Sequence, residues 1–269
     1  MWGLTPKKIL NMSTFLWESI AFGPIHSRRL GQSLGINLMP VDEKICTFNC
    51  LYCECGWTLE KNLEAREPYP LETVMEAIEH KLSDCCARNI PVDSITFSGN
   101  GEPTLYPWFD QVIDRLIVLR DKYYPQAVIT CLSNATQLFR PEIITALQRI
   151  ENPMLKLDAG SQEMLDIVNA PIVPVDIEQV TEQLCSFNGN LVIQTLFFSG
   201  VREGRAFDNS VDPEWSQWLS RIRRIRPKRI VIYSLDRETP ALDLHKFDKP
   251  YLDGIVMKLR AEGFEAFAY

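Results

Sequence analysis

Four of the chain's eight cysteines, Cys46, Cys50, Cys53 and Cys55, fall within ten residues. The first three stand as Cys46-Thr-Phe-Asn-Cys50-Leu-Tyr-Cys53. Thiolates this close together reach three irons of one cubane from a single loop, which leaves the fourth iron without a protein ligand. An iron so exposed can take a small molecule as its remaining ligand. Cys55 offers another outcome: as a fourth ligand it would close the site, giving structural zinc or a simple electron-transfer cluster. Cys85, Cys86, Cys131 and Cys185 are scattered. Cys131 and Cys185 fall in an expected strand and helix, where buried free cysteine is common. A metal-like spacing without an export signal predicts a reducing, cytoplasmic compartment.

Other polar residues collect where apolar runs end. Ser98-Gly99-Asn100-Gly101-Glu102-Pro103-Thr104 puts two glycines, which allow close backbone approach, beside a carboxylate suited to a cationic amine. An ordinary glycine turn into the next helix is the alternative. Ser133, Asn134 and Thr136 are small hydrogen-bonding groups at a strand exit, suited to hydroxyls or a carboxylate and equally to capping a helix. Lys156 and Asp158 alternate with Leu155 and Leu157, so both charges share one face of a strand. Inside a barrel such a pair marks a site, unless it merely neutralises itself. Gln194 and Thr195 interrupt an apolar run and are lumen candidates on the same argument, and Tyr233, Ser234, Asp236 and Arg237 end another.

The elements that must hold these groups alternate. Short, nearly continuous apolar runs at 35–40, 93–98, 127–132, 154–158, 191–198 and 229–235 predict strands buried on both faces. Amphipathic stretches at 71–88, 107–123, 141–150, 161–168, 175–187, 213–225 and 249–264 predict helices. Pro141 and Pro213 mark helix starts, and Gly189 and Gly263 mark stops. Six such strands are too few for a closed eight-stranded barrel, so the expected class is α/β, a (βα)6 partial TIM barrel with a parallel sheet. One domain is expected, with 1–32 as an N-terminal extension and 33–269 as the barrel.

The cysteine spacing, with Tyr52 before the last ligand, resembles the signature of the radical S-adenosylmethionine (SAM) superfamily. The resemblance implies a [4Fe–4S] cluster on Cys46, Cys50 and Cys53, with SAM chelated at the open iron and Tyr52 near its adenine. Ser98, Gly99, Asn100, Gly101 and Glu102 resemble the superfamily's Gly-Gly-Glu element at the SAM amine, with Asn100 in place of the first glycine. Ser133 and Asn134 match positions that bind the SAM ribose or carboxylate, and Asp158 is a further SAM-side candidate. Lys156, Asp158 and Gln194 are then the catalytic candidates. GPIHSRRLGQSLGINLMP, SGNGEPTL, LKLDAG and YSLDRETP, in order from Gly23 to Pro240, look like a subgroup related to wyosine-type tRNA-modifying enzymes. Arg28, Arg29, Tyr233 and Arg237 are candidate substrate contacts, the arginines because planar forks suit phosphate or carboxylate. A solvated, salt-bridged loop is the alternative for Arg28 and Arg29. No flavodoxin-like segment is recognisable, so a separate donor of flavodoxin or ferredoxin type is implied. The substrate stays open among a tRNA base, a small molecule and a protein, as for a glycyl-radical activase.

The bulk composition narrows the alternatives. Over 269 residues, 46% are hydrophobic and 23% charged, which fits a folded chain rather than a disordered one. The formal net charge of −7 argues against general nucleic-acid binding, so an RNA substrate needs a local positive patch. The most basic run, 221–229, reads as the solvated face of an amphipathic helix. The start, MWGLTPKKILNMSTF, lacks the apolar core of a secretory signal, and no run is long enough to span a membrane. The three histidines share no ligand spacing, and neither a nucleophile elbow nor a phosphate loop is present.

Overall fold

A computed structural model describes residues 15–59 and 67–269. The first part of the expected N-terminal extension, 1–14, lies outside the described residues.

Strand β1 (Ala21–Ser27) turns through Arg28–Leu30 into β2 (Gly31–Ile36), to which it pairs antiparallel. From β2 onward the main sheet is parallel: β3 (Ser94–Phe97), β4 (Val128–Ser133), β5 (Asn152–Lys156), β6 (Val192–Leu196), β9 (Arg229–Tyr233) and β11 (Ala266–Ala268). The order β1-β2-β3-β4-β5-β6-β9-β11 places successive strands side by side, as a partial barrel requires. Helices α1 (Leu71–Ala87), α2 (Phe109–Tyr123), α3 (Pro141–Gln148), α4 (Gln162–Val168), α5 (Ile177–Cys185), α6 (Glu214–Ile225) and α7 (Lys249–Ala261) make the crossovers. An antiparallel arm of β7 (Phe198–Arg202), β8 (Arg205–Asp208) and β10 (Leu244–Lys246) stands beside it, ordered β10-β7-β8.

Strand periodicity sorts the two faces. Leu34, Ile36, Ile95, Phe97, Ile129, Cys131, Leu155, Leu157, Ile193, Ile230 and Ile232 all point outward into one core with the helices. Each fully buried Ile, Leu or Phe there contributes roughly 1.5–3 kcal/mol. The alternate positions face the lumen and are mostly polar: Ser33, Ser94, Thr96, Thr130, Lys156, Gln194 and Tyr233. The hydroxyls of Ser33, Thr96, Ser94 and Thr130 form a ladder at 2.8–3.0 Å across β2, β3 and β4.

Helix signals in the sequence hold. Pro141 opens α3, Ser161 caps α4 from Met164, Asp176 caps α5 from Glu178 and Gln179, and Asp248 caps α7 from Tyr251.

Five details differ from expectation. The first parallel strand ends at Ile36, because the Asn37 side chain accepts from Met39 N and Asn100 N and turns the chain out of the ladder. The segment expected as an extension contributes β1, which covers the sheet edge. The apolar run at 191–198 is two strands, with Phe197 at the break and β7 leaving for the arm. Pro213 lies at the N-cap of α6, one residue ahead of the helix it was expected to open. Thr195 faces outward, donating to Leu157 O at 2.7 Å, so only Gln194 of that pair reaches the lumen.

Candidate functional site

The loop from Lys44 to Gly56 lies at the carboxyl ends of the strands and is clamped on both flanks. On one side Ile45 bridges Gly101: Ile45 N donates to Asn100 O and Glu102 N to Ile45 O, both at 2.9 Å. On the other, Ile172 N donates to Thr47 O, Asn49 N to Ala170 O and Leu51 N to Val168 O, at 2.9–3.0 Å. Gly101 makes the first clamp possible. Its φ is +143°, and a Cβ there would come within 1.8 Å of Ile45 O. The glycines of this segment therefore bring two loops of the chain together.

Between the clamps Cys46 and Cys50 are buried with Phe48, and Cys53 packs at their edge. Three N–H groups point at sulfur: Phe48 N and Asn134 Nδ2 toward Cys46, at 3.5 and 3.4 Å, and Asn169 Nδ2 toward Cys50, at 3.4 Å. Both asparagines precede an alanine with positive φ, +66° at Ala135 and +42° at Ala170, a backbone cost that the surrounding bonds sustain. Burial pushes the Cys46 thiol up to about 12 and raises Cys50 as well. Cys53 moves the other way, to about 5, mainly because Cys55 donates to it. Cys55 is pushed up by its contact with Cys53, and its sulfur also lies 3.4 Å from Gly99 O, so its one S–H is shared between the two acceptors.

Lys44, which the sequence did not single out, is buried and donates to Gly56 O at 2.9 Å, closing the loop around all three cysteines. Burial alone would lower its pKa. Negative charge on the sulfurs of Cys53, Cys46 and Cys50, as thiolates, outweighs that and raises it. A buried ammonium, three adjacent thiols and N–H donors aimed at two sulfurs form a donor set that fits an anionic iron–sulfur cluster. Asn169 was also missed: at the end of α4 it reads as a helix cap, yet Nδ2 bridges Cys50 Sγ and, at 2.8 Å, Asp158 Oδ2.

Glu102 is fully enclosed. Its carboxylate accepts from Thr104 N and Oγ1, Ser133 Oγ and Asn134 N, at 2.5–3.1 Å, tying the loops after β3 and β4 together. Its burial raises the carboxyl above the usual range despite these bonds. Asn100 is buried, its amide spent on Trp17 and Pro40, and Ser98 extends the β2–β3 pairing through its backbone.

The lumen group lies below this loop. Tyr52 donates to Asp158 and accepts from Lys156 Nζ at 2.5 Å, and Lys156 is 3.5 Å from Asp158. Asp158 Oδ1 takes Leu196 N at 2.9 Å. Burial would lower Lys156, but Asp158, Tyr233 and Cys50 outweigh it and raise its pKa. Next to it, Arg29 donates to Gln194 Oε1 at 3.0 Å, and Gln194 donates to Tyr233 at 2.8 Å. Arg28 and Arg237 are not in this group. They sit exposed at the rim, paired with Asp236 and Glu54.

The model of the radical SAM superfamily matches residues 44–204, more than half of the chain, and the chain belongs to that superfamily. Members of that superfamily use a [4Fe–4S] cluster and SAM. Among relatives, a UPF0026 protein of Methanocaldococcus jannaschii is 30% identical over 188 residues, covering 68% of this chain and 56% of that protein. A UPF0026 protein of Helicobacter pylori is 34% identical over 190 residues, 68% of this chain and 58% of that one. The match thus spans little more than half the length of either relative. In fold the chain is similar to a radical SAM methyltransferase from Sphaerobacter thermophilus, with TM-score 0.64 and 14% identity over 88% of this chain and 65% of that one. It is also similar to SuiB of Streptococcus suis, solved bound to S-adenosylmethionine, with TM-score 0.58 and 14% identity over 87% and 46%. Among the described residues no helix is long and apolar enough to cross a membrane.

Proposed function

We propose that Cys46, Cys50 and Cys53 ligate three irons of a [4Fe–4S] cluster, and that the chain cleaves SAM reductively to modify a second substrate in the lumen. A cluster bound there supplies the electron that splits SAM into methionine and the 5′-deoxyadenosyl radical. What supports this most is the clamped loop, with amide donors at Cys46 and Cys50 and the Lys44 ammonium beside all three thiols. Asn134 and Asn169 orient and polarise the sulfurs, and the apolar packing of Phe48 excludes water. Glu102 holds the Ser98–Glu102 and Ser133–Asn134 loops in register as the wall on the SAM side, with Tyr52 and Asp158 closing the lumen side. Cys55 remains a protonated neighbour rather than a ligand. Radical SAM enzymes take the electron from an external reductant, here a protein of flavodoxin or ferredoxin type.

The test is metal content. After anaerobic reconstitution with iron and sulfide, Cys46→Ala, Cys50→Ala and Cys53→Ala fall well below four irons per chain, while Cys55→Ala retains them. Loss of the cluster in Cys55→Ala, with the other three retaining metal, would refute the assignment.

A further inference from the structure

We infer that the second substrate carries an anionic group, a carboxylate or a phosphate, which Arg29 and Lys156 grip inside the barrel. This rests on the radical SAM assignment and adds the chemical class of the substrate.

The lining departs from what barrel packing alone requires. A barrel interior that only has to be filled is dominated by layers of Val, Ile and Leu. Here Met154, Val192 and Val231 form one apolar layer, against which Leu132 and, from the β1–β2 turn, Leu30 pack. One residue earlier the same turn delivers Arg29 into the lumen, where it bonds Gln194 and lies 5.0 Å over the Tyr233 ring. Gln194 is the register partner of Lys156 across β5 and β6, so the two cations flank it. Both also act on the Tyr233 hydroxyl.

The charges in this layer do not balance. Lys156 has Asp158 at 3.5 Å, but Arg29 forms no ion pair among the described residues. Asp158 already accepts from Tyr52, Asn169 and Leu196 N as well as facing Lys156. One positive charge is left over in this partly buried layer, within a chain of net charge −7. An incoming anion balances it. Of the Arg29 fork only Nη1 is engaged among the described residues, so further N–H donors stand ready for a planar or tetrahedral oxyanion. An anion held at this depth points the rest of the molecule toward Cys50, which is linked to Lys156 through Tyr52, Asp158 and Asn169.

The experiment uses cluster-loaded protein with saturating SAM, so that the carboxylate of SAM is already accommodated. Thermal unfolding is followed against inorganic phosphate, succinate and neutral succinamide at constant ionic strength. Either or both anions raise Tm by several degrees near saturation and succinamide does not, and the responding anion identifies the group. Arg29→Gln raises the half-saturating concentration by at least about tenfold, Lys156→Met raises it too, and Arg29→Lys recovers part of the loss. An equal response to succinamide, no response to either anion, or an unchanged midpoint in Arg29→Gln and Lys156→Met would each overturn the assignment. In the same wild-type preparation, the effect of SAM on the cluster's electron paramagnetic resonance spectrum tests the radical SAM assignment separately. A SAM effect without an anion effect sinks only the anion grip.

Discussion

The side-chain amide of Asn169 donates to the sulfur of Cys50 at 3.4 Å, across 119 residues of sequence. Asn134 does the same for Cys46, also at 3.4 Å. Donors aimed at cluster sulfurs stabilise the reduced, more negative state and so raise the potential. A hydrogen bond worth about 1 kcal/mol corresponds to about 40 mV for one electron. Asn169→Ala and Asn134→Ala should each lower the midpoint potential by tens of millivolts in a redox titration. An unchanged potential in both would remove the amides from this role.

Lys44 acts through a full charge. Lys44→Met should lower the potential further than either asparagine variant and speed the loss of iron to a chelator several-fold. Iron loss at the wild-type rate would show that the ammonium serves only to close the loop through Gly56 O.

The thiols of the cluster-free protein differ in reactivity. Cys53 lies at about 5 and Cys46 at about 12. Iodoacetamide at pH 7 should therefore label Cys53 before Cys46, as read by peptide mass mapping. The rate at Cys53 should fall only as the pH drops below about 5. Folding depresses Cys53 from its ordinary 9.0, so its contribution to stability is complete above that value and is lost as the pH falls through about 5. Equal labelling of the two cysteines at pH 7 would contradict this order.

Gly101→Ala strikes the clamp directly. The backbone conformation alone costs about 1–3 kcal/mol, and the added Cβ meets Ile45 O at 1.8 Å. Both Tm and iron retention should fall. A wild-type Tm with full iron would mean that the Ile45–Gly101 bridge does not hold the loop.

Much of this site was legible because its signals are local. Three cysteines within eight residues carry their chemistry in their spacing. The continuous apolar runs of β3 to β6 and β9 state their burial residue by residue. What was missed depends on how the chain folds back. Asn169 looks like a helix cap until Cys50, 119 residues away in sequence, meets its amide, and Lys44 looks like a loop cation until its own loop closes on it through Gly56 O. Strand β1, AFGPIHS, contains Gly and Pro and shows no alternation, so only its pairing with β2 makes it a strand. Arg29 could be nominated from its type, but not separated from Arg28. The turn sends one into the lumen and the other to Asp236 at the rim.

The central claim is the chemistry of the cysteine loop, and it is tested most directly on the reconstituted, dithionite-reduced wild-type protein. SAM is added, the electron paramagnetic resonance spectrum is recorded, and 5′-deoxyadenosine is then assayed. The account predicts a SAM-dependent change in the spectrum and product that disappears in Cys50→Ala. A fully loaded cluster whose spectrum ignores SAM and which yields no 5′-deoxyadenosine would contradict it.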